Sequence, residues 1–238
     1  MPPSLTIVVP VYNEASFLPQ ALPGLIAAAE ESGAPYVIRI VENGSTDGTA
    51  ELARELAAAA NVVIDSLPDP DYGAAMRHGF LEADGDWVVN FDIDYFSAEF
   101  LARLLDQPDD VDLVIGSKRD PLSEDRRPFI RRIATGVFNV LLTVILRSGV
   151  SDTHGMKGFR RKLVDDIAPM VVSTKDLFDT ELVVRAERAG YSIVEVPVVV
   201  EEMRTARSSL IRRAPRTIAG LLRMRKVLRT QPHDDATG

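Results

Sequence analysis

Cysteine is absent from this 238-residue chain, which excludes both a disulfide framework and a cysteine zinc site. A reducing compartment is compatible with that absence. Aromatic residues make up only 6%, with a single Trp and three His. They do not interleave with basic residues, and no helix-turn-helix pattern is present, so nucleic acid is not an expected partner. Long apolar runs are also missing. The longest candidate, Ile133 to Leu146, is about 14 residues, short of the roughly 20 needed to cross a bilayer. The N-terminus, Met1-Pro2-Pro3-Ser4, has no basic region of the kind that opens a secretory signal, which points to a mature cytoplasmic chain. Acid is missing from Met203 to Arg229, a stretch that carries nine bases: Arg204, Arg207, Arg212, Arg213, Arg216, Arg223, Arg225, Lys226 and Arg229. A second basic cluster holds Arg126, Arg127, Arg131 and Arg132, although the net charge is −8. Basic stretches on an acidic protein suggest an anionic surface as partner, such as membrane lipid phosphate, against the plainer reading of a solvated helix face.

What is present is a core-forming composition, 46% hydrophobic and 26% charged. Apolar, β-branched runs alternate with helical patterns. Strands are expected at Leu5–Pro10, Tyr36–Glu42, Asn61–Asp65, Asp86–Phe91, Val111–Gly116 and Ile193–Val200. Helices are expected at Ser16–Glu31, Ala50–Ala60, Gly73–Ala83, Ser97–Leu105 and Asp176–Gly190. Pro23 and Gly24 weaken the regularity of the first helix. Ile133–Leu146, flanked by Arg131, Arg132 and Arg147, reads as a core helix or one lying at a membrane interface. Near-continuously apolar strands with helical crossovers predict an α/β fold with a mostly parallel sheet covered on both faces. One domain is expected over 1–230, with a nucleotide-sugar-binding half at 1–117, an acceptor- and membrane-facing half at 118–230, and a flexible tail at 231–238.

In such sheets ligands bind at the carboxyl ends of the strands, and the chemically diverse segments fall there. Asp92-Ile93-Asp94 closes the fourth strand. Two carboxylates flanking one residue can share a hard divalent cation, Mg²⁺ or Mn²⁺, which keeps positions open for substrate phosphates. Tyr12, Asn13 and Glu14 follow the first strand and offer an aromatic face with polar groups for a nucleobase. Glu42 and Asn43 end the second strand, where they could meet base or ribose. Asp71-Tyr72-Gly73-Ala74-Ala75 opens a helix. Its small residues permit either close approach of an anion or close packing. Lys118 and Arg119 follow the fifth strand, where a phosphate clamp would be useful. Asp152-Thr153-His154-Gly155-Met156-Lys157-Gly158 reads as a polar, glycine-flanked loop in which His154 could donate a hydrogen bond, ligate a metal or simply pack.

Taken in order, Val9-Pro10-Val11-Tyr12-Asn13-Glu14, Val41-Glu42-Asn43-Gly44-Ser45-Thr46-Asp47-Gly48-Thr49, Asp71-Tyr72-Gly73-Ala74-Ala75 and Asp92-Ile93-Asp94 resemble the signature of glycosyltransferase family 2. With Gly116-Ser117-Lys118-Arg119, Asp152-Thr153-His154-Gly155 and Phe178-Asp179-Thr180-Glu181-Leu182, the pattern looks most like the polyprenyl (dolichol) phosphate mannose synthase branch, over about residues 5–210. The resemblance implies a GT-A, Rossmann-like fold and an inverting, metal-dependent hexosyl transfer from a GDP- or UDP-linked sugar to a polyprenyl phosphate. The N-terminus and the basic stretches, for their part, suggest a cytoplasmic protein, peripheral on the inner face of the membrane. By matching positions, Pro10, Tyr12, Asn13, Glu14, Glu42, Asn43, Gly73 and Asp92 would hold the nucleotide sugar. Asp92 and Asp94 would bind the metal, and Lys118, Arg119 and Arg204 the acceptor phosphate. Glu42 and Asn43 stand where the family usually has two aspartates. Phe96 stands where the branch often has a metal-assisting Gln, so the metal shell would be completed by water or by another residue, with His154 the candidate.

A lipid phosphate acceptor is already anionic at neutral pH and needs no strong base. An alcohol acceptor needs a carboxylate to take its proton, and Asp152 and Glu181 are the catalytic candidates for that role. Two enzyme readings follow, transfer to a polyprenyl phosphate or transfer to a soluble or lipid hydroxyl. A nucleotide-sugar-binding module without turnover is the reading from a different class.

Overall fold

A computed structural model describes residues 2–57, 61–117, 124–125, 136–150, 153, 155–200 and 210–230. Strands and helices alternate through its first half: β1 (Leu5–Val11), α1 (Leu18–Glu31), β2 (Tyr36–Asn43), α2 (Thr49–Ala57), β3 (Val62–Leu67), α3 (Tyr72–Leu81), β4 (Trp87–Asn90), α4 (Ala98–Leu105) and β5 (Leu113–Ser117). These follow the hydrophobic pattern to within two or three residues at most boundaries. The second half contributes β6 (Glu124–Asp125), α5 (136–141, continued by a π-helical turn over Leu142–Leu146), β7 (Lys157–Arg160), α6 (Arg161–Ile167), α7 (Phe178–Arg188), β8 (Ile193–Pro197), β9 (Val199–Val200) and α8 (Leu210–Thr230).

Seven strands form one sheet in the order β3-β2-β1-β4-β7-β5-β8, and β6 pairs with β9 apart from it. The strands are parallel except β7, which runs antiparallel to both β4 and β5. Here the structure corrects the sequence reading, which placed Lys157 and Gly158 in a loop. Two packing facts hide that strand from a pattern search. Lys157 is wholly buried with its charge neutralised inside the protein. Gly158 leaves room for Leu104, whose methyl lies 2.4 Å from where a Cβ would stand.

Side chains of β1 alternate between two cores. Leu5, Ile7, Val9 and Val11 meet α1 and α4 through Leu18, Leu22, Leu25, Phe100 and Leu104. Val8 faces the other way, with Met76 and Phe80 of α3, Leu163 of α6 and Phe178 and Leu182 of α7. Burial on both faces is why the strands read as continuous apolar runs. Pro23 does not break α1. It removes one hydrogen bond, and the buried stripe Leu18, Leu22, Leu25 and Ala29 holds the helix against the sheet.

A third, smaller core joins Leu142 and Leu146 of the π-helical turn to Leu221, Met224 and Leu228 of α8, over Val184 of α7. The Ile133–Leu146 segment, described from residue 136, is therefore a core element on one face. On its other face Val137, Val140 and Val144 are 56–67% exposed. Arg147, in the left-handed region at φ 58°, ends it by donating its backbone N–H to the Thr143 carbonyl.

Candidate active site

The sheet order reverses between β1 and β4, so the crossovers leave a crevice at their carboxyl ends. A cleft of about 400 Å³ opens there, lined by Pro10, Val11, Tyr12, Glu14, Asn43, Pro70, Tyr72, Asp92, Ile93, Asp94, Lys175 and Arg216. Of the residues expected to hold a nucleotide sugar, Pro10, Tyr12, Glu14, Asn43 and Asp92 line it, and so does Asp94. The sequence reading missed Tyr72, Lys175 and Arg216.

The loops after β1 and β2 are stitched into one rim. Asn13, with φ 53°, donates its N–H to the Ser45 hydroxyl at 3.0 Å and accepts the Thr46 N–H on its side-chain oxygen at 2.9 Å. The Glu14 N–H donates to the Thr49 hydroxyl at 2.8 Å, and the Ala15 N–H to Asp47 at 3.2 Å. Asp47 is held below its ordinary pKa. Slight burial opposes this, but hydrogen bonds from the Thr49 hydroxyl and from backbone N–H groups outweigh it. Asn43 donates its amide to the Val11 carbonyl at 2.8 Å, and Glu42 accepts the Ser45 N–H. Asn13 and Glu42 thus build the rim and do not line the cleft, while Tyr12, 44% exposed, stands open on it.

Asp92 and Asp94 sit on a tight turn closed by the Tyr95 N–H donating to the Asp92 carbonyl at 2.9 Å. Ile93 between them is buried, which fixes the turn. Phe96 is partly buried against the core beside Gly24 of α1, and does not line the cleft. Among the described residues no three carboxylate or imidazole groups gather as a metal cage. Two carboxylates in a polar cleft nevertheless suit Mg²⁺ or Mn²⁺, which take one or two protein carboxylates and complete their shell with water and substrate phosphates. The residues present fit such an ion.

Behind Tyr72 of the cleft wall lies a buried polar cluster. One oxygen of Asp179 accepts from the Tyr72 hydroxyl at 3.0 Å, the Asn90 amide at 3.0 Å and the Lys157 ammonium at 3.2 Å. Burial, then the charges of Asp179 and Asp92, push the Tyr72 hydroxyl well above its ordinary pKa, so it stays protonated. The sequence did carry signals for this cluster. Asn90 is a polar residue inside a buried apolar strand, and Asp179 sits on the buried face of a helix.

At the cleft wall, Asp71 caps α3 by accepting the Ala74 N–H at 3.1 Å. The same oxygen accepts the Lys175 N–H at 2.9 Å. Gly73 lies against that backbone. A Cβ on it would stand 2.7 Å from Lys175 N and 2.8 Å from two Thr174 atoms. That close approach of the Thr174–Lys175 backbone is what the missing side chain at Gly73 allows. Glu181 is fully buried. It accepts the Val172 and Ser173 N–H groups at 3.2 and 2.7 Å and pairs with Arg185 at 2.8 Å. It does not line the cleft, and these contacts make it an anchor for the segment leading to Lys175. Asp152, His154, Lys118, Arg119 and Arg204 lie outside the described residues.

Comparison with known proteins identifies the family and the fold. Glycosyl transferase family 2 is matched over residues 6–168. The chain is 34% identical over 222 residues to the polyprenol monophosphomannose synthase of Mycolicibacterium smegmatis, with 82% of this chain and 77% of that protein covered. It is 29% identical over 216 residues to the glycosyltransferase AglD of Haloferax volcanii, covering 87% of this chain and 35% of that protein. Among solved structures, glucosyl-3-phosphoglycerate synthase from Mycobacterium tuberculosis, crystallised with Mn²⁺, UDP and phosphoglyceric acid, superposes with a TM-score of 0.68 at 20% identity, covering 94% of this chain and 78% of that one. Mannosyl-3-phosphoglycerate synthase from Rubrobacter xylanophilus gives 0.66 at 21% identity, covering 99% and 79%. These two likenesses establish the GT-A fold. With the family match spanning most of the chain, the protein belongs to glycosyl transferase family 2, the nucleotide-sugar glycosyltransferases.

Proposed function

We propose that this enzyme moves a hexose, with inversion, from a GDP- or UDP-linked donor to a polyprenyl phosphate at a membrane surface. The observation that carries the donor half is the meeting of Tyr12, Glu14 and Asn43 with Asp92 and Asp94 in one cleft at the strand ends. Tyr12 offers its ring to the base, while Asp92 and Asp94 hold the diphosphate through Mg²⁺ or Mn²⁺. The ion supplies neutralisation of the charge that builds on the departing nucleoside diphosphate. Lys175 and Arg216, which also line the cleft, add positive charge to it. The acceptor oxygen attacks the anomeric carbon from the face opposite the leaving diphosphate.

Two observations favour a phosphate acceptor over a hydroxyl. Glu181, one of the two carboxylates considered as base for an alcohol, is buried and engaged by Arg185 and two backbone N–H groups. The α5–α8 layer also presents Val137, Val140, Val144, Ile218 and Leu222 to solvent beside Arg223, Lys226 and Arg229. An apolar face bordered by bases suits an anionic bilayer, where a polyprenyl phosphate resides. The polyprenol monophosphomannose synthase relative points the same way.

The test supplies GDP- and UDP-sugars in turn with polyprenyl phosphate in vesicles, with Mn²⁺ or with chelator. A glycosylated lipid phosphate formed only with metal is the expected product. Transfer to a hydroxyl-bearing acceptor at an equal rate, or turnover unaffected by chelator, overturns the corresponding half of the reading.

A further inference from the structure

We propose that the buried Lys157–Asp179 pair is a positioning device for the diphosphate end of the cleft, holding the Tyr72 side chain and the end of β4 where the donor requires them. The inference rests on the donor reading above. Its basis is the convergence of four elements on one carboxylate oxygen: Tyr72 from α3, Asn90 from β4 and Lys157 from β7 all donate to Asp179 of α7. Lys157 is fully buried, Asn90 2% exposed and Asp179 5% exposed. Lys157 donates in addition to the Gly155 carbonyl at 2.6 Å, which ties the approach to β7 into the same point.

Each of these links has a consequence at the cleft. Asn90 is the last residue of β4, two positions before Asp92, so fixing its amide fixes the start of the acidic turn. Tyr72 lines the cleft directly. Its hydroxyl gives its one proton to Asp179 at 3.0 Å, which holds the ring on the cleft wall. Lys157 cancels the charge of Asp179. Without it an uncompensated carboxylate would lie buried directly behind Tyr72 of the cleft wall.

Stability alone is a poor account of such a pair. Taking two charges out of water is costly, and apolar residues of similar volume often hold a fold equally well. Apolar residues could fill this space, but they could not orient a hydroxyl or an amide.

The experiment measures binding of Mn²⁺ with UDP or GDP, by calorimetry and by the Mn²⁺ paramagnetic signal, beside thermal midpoints. It uses wild type, Asp179→Asn, Tyr72→Phe, the double variant Lys157→Met/Asp179→Leu, and Val183→Ala. Val183 is buried on α7, does not line the cleft, and controls for lost packing. Asp179→Asn and Tyr72→Phe are expected to weaken Mn²⁺–nucleotide binding about tenfold, because the Tyr72 side chain and the end of β4 are then no longer tied to one point. The double variant should regain thermal stability relative to Asp179→Asn without regaining binding, and Val183→Ala should lose stability yet bind like wild type. Should Asp179→Asn fold poorly, Tyr72→Phe, which removes only the hydroxyl tie to Asp179, decides. Wild-type binding in Tyr72→Phe, or in the double variant, overturns the inference and leaves the donor reading intact. Wild-type protein that binds neither nucleotide with Mn²⁺ overturns the donor reading itself.

Discussion

Asp94 stands at the mouth of the cleft with Asp92 on a turn that buried Ile93 keeps rigid. Replacing it with Asn keeps the volume and removes the charge. Asp94→Asn is expected to lower turnover about a hundredfold or more, since metal ions supply several kcal/mol of transition-state stabilisation. Its thermal midpoint should stay near that of wild type. Steady-state kinetics under limiting Mn²⁺ check this, and normal activity there removes Asp94 from the metal site. Gly73 tests a different cause. Its missing Cβ is filled by the Thr174–Lys175 backbone, which cannot rotate aside. Gly73→Ala should destabilise by about 1–3 kcal/mol, the usual range for overpacking, and raise the donor KM by displacing Lys175. Denaturant titration together with kinetics reads both, and an unchanged midpoint denies the close approach.

At the scale of elements, the helical layer of α5, its π-helical turn and α8 is amphipathic in a specific sense. Leu142, Leu146, Leu221 and Met224 close the third core, while Val137, Val140 and Val144 on one segment and Ile218 and Leu222 on the other face outward. α8 carries Arg216 into the cleft as well, and a Leu177 methyl lies 2.2 Å from where a Cβ on Gly220 would stand, so the helix abuts the Lys175 turn. Val140→Ser with Val144→Ser should reduce flotation with anionic vesicles without lowering the thermal midpoint, because both side chains are exposed. High salt should weaken the wild-type association, since exposed charges are screened beyond roughly 10 Å at 0.1 M. Equal recovery of wild type with neutral and anionic vesicles at low salt removes the electrostatic part of the argument. Among the described residues no helix is long and apolar enough to cross a membrane.

For the molecule as a whole, donor binding should register as stability. At a ligand concentration about a hundredfold above Kd, binding contributes about 2.7 kcal/mol, and about 2–4 °C accompanies each kcal/mol in chains of this size. A rise of about 5–10 °C with Mn²⁺ and the right nucleotide sugar is therefore expected by scanning fluorimetry, and no rise with any donor contradicts the site. The opposite end of the sheet carries an acid-sensitive tie. Asp86, before β4, accepts the Ser4 N–H at 2.7 Å and the Ser4 hydroxyl at 2.8 Å, just ahead of β1. The Ser4 bonds, then Arg160 nearby, hold its carboxyl below the ordinary value. A depressed carboxylate contributes stability that is present above its unfolded pKa and is lost as pH falls through the folded one. Ser4→Ala should therefore raise the pH midpoint of acid unfolding, in the range below about pH 4, by circular dichroism. An unmoved midpoint denies the tie any part in acid stability.

Much of this was legible in the chain itself. The apolar, β-branched runs and the capped helices between them determine a mostly parallel sheet, because strands buried on both faces admit few polar side chains. That sheet sends the loops carrying Tyr12, Glu14, Asn43, Asp92 and Asp94 to one edge, so the outline of the cleft was readable from strand ends alone. Three things only the tertiary structure decided. Asn13 and Glu42 turned inward to stitch the rim, because unpaired backbone N–H groups lay within their reach. Lys157 entered the sheet on a reversed strand, which no local pattern announces, because its partner Asp179 lies more than twenty residues away, as do Tyr72 and Asn90. Glu181, a base candidate by residue type, became an anchor because its helix buried it beside Arg185. Residue type and periodicity are local properties and survive in a sequence. Which polar group finds which partner depends on distances that exist only once distant segments have packed.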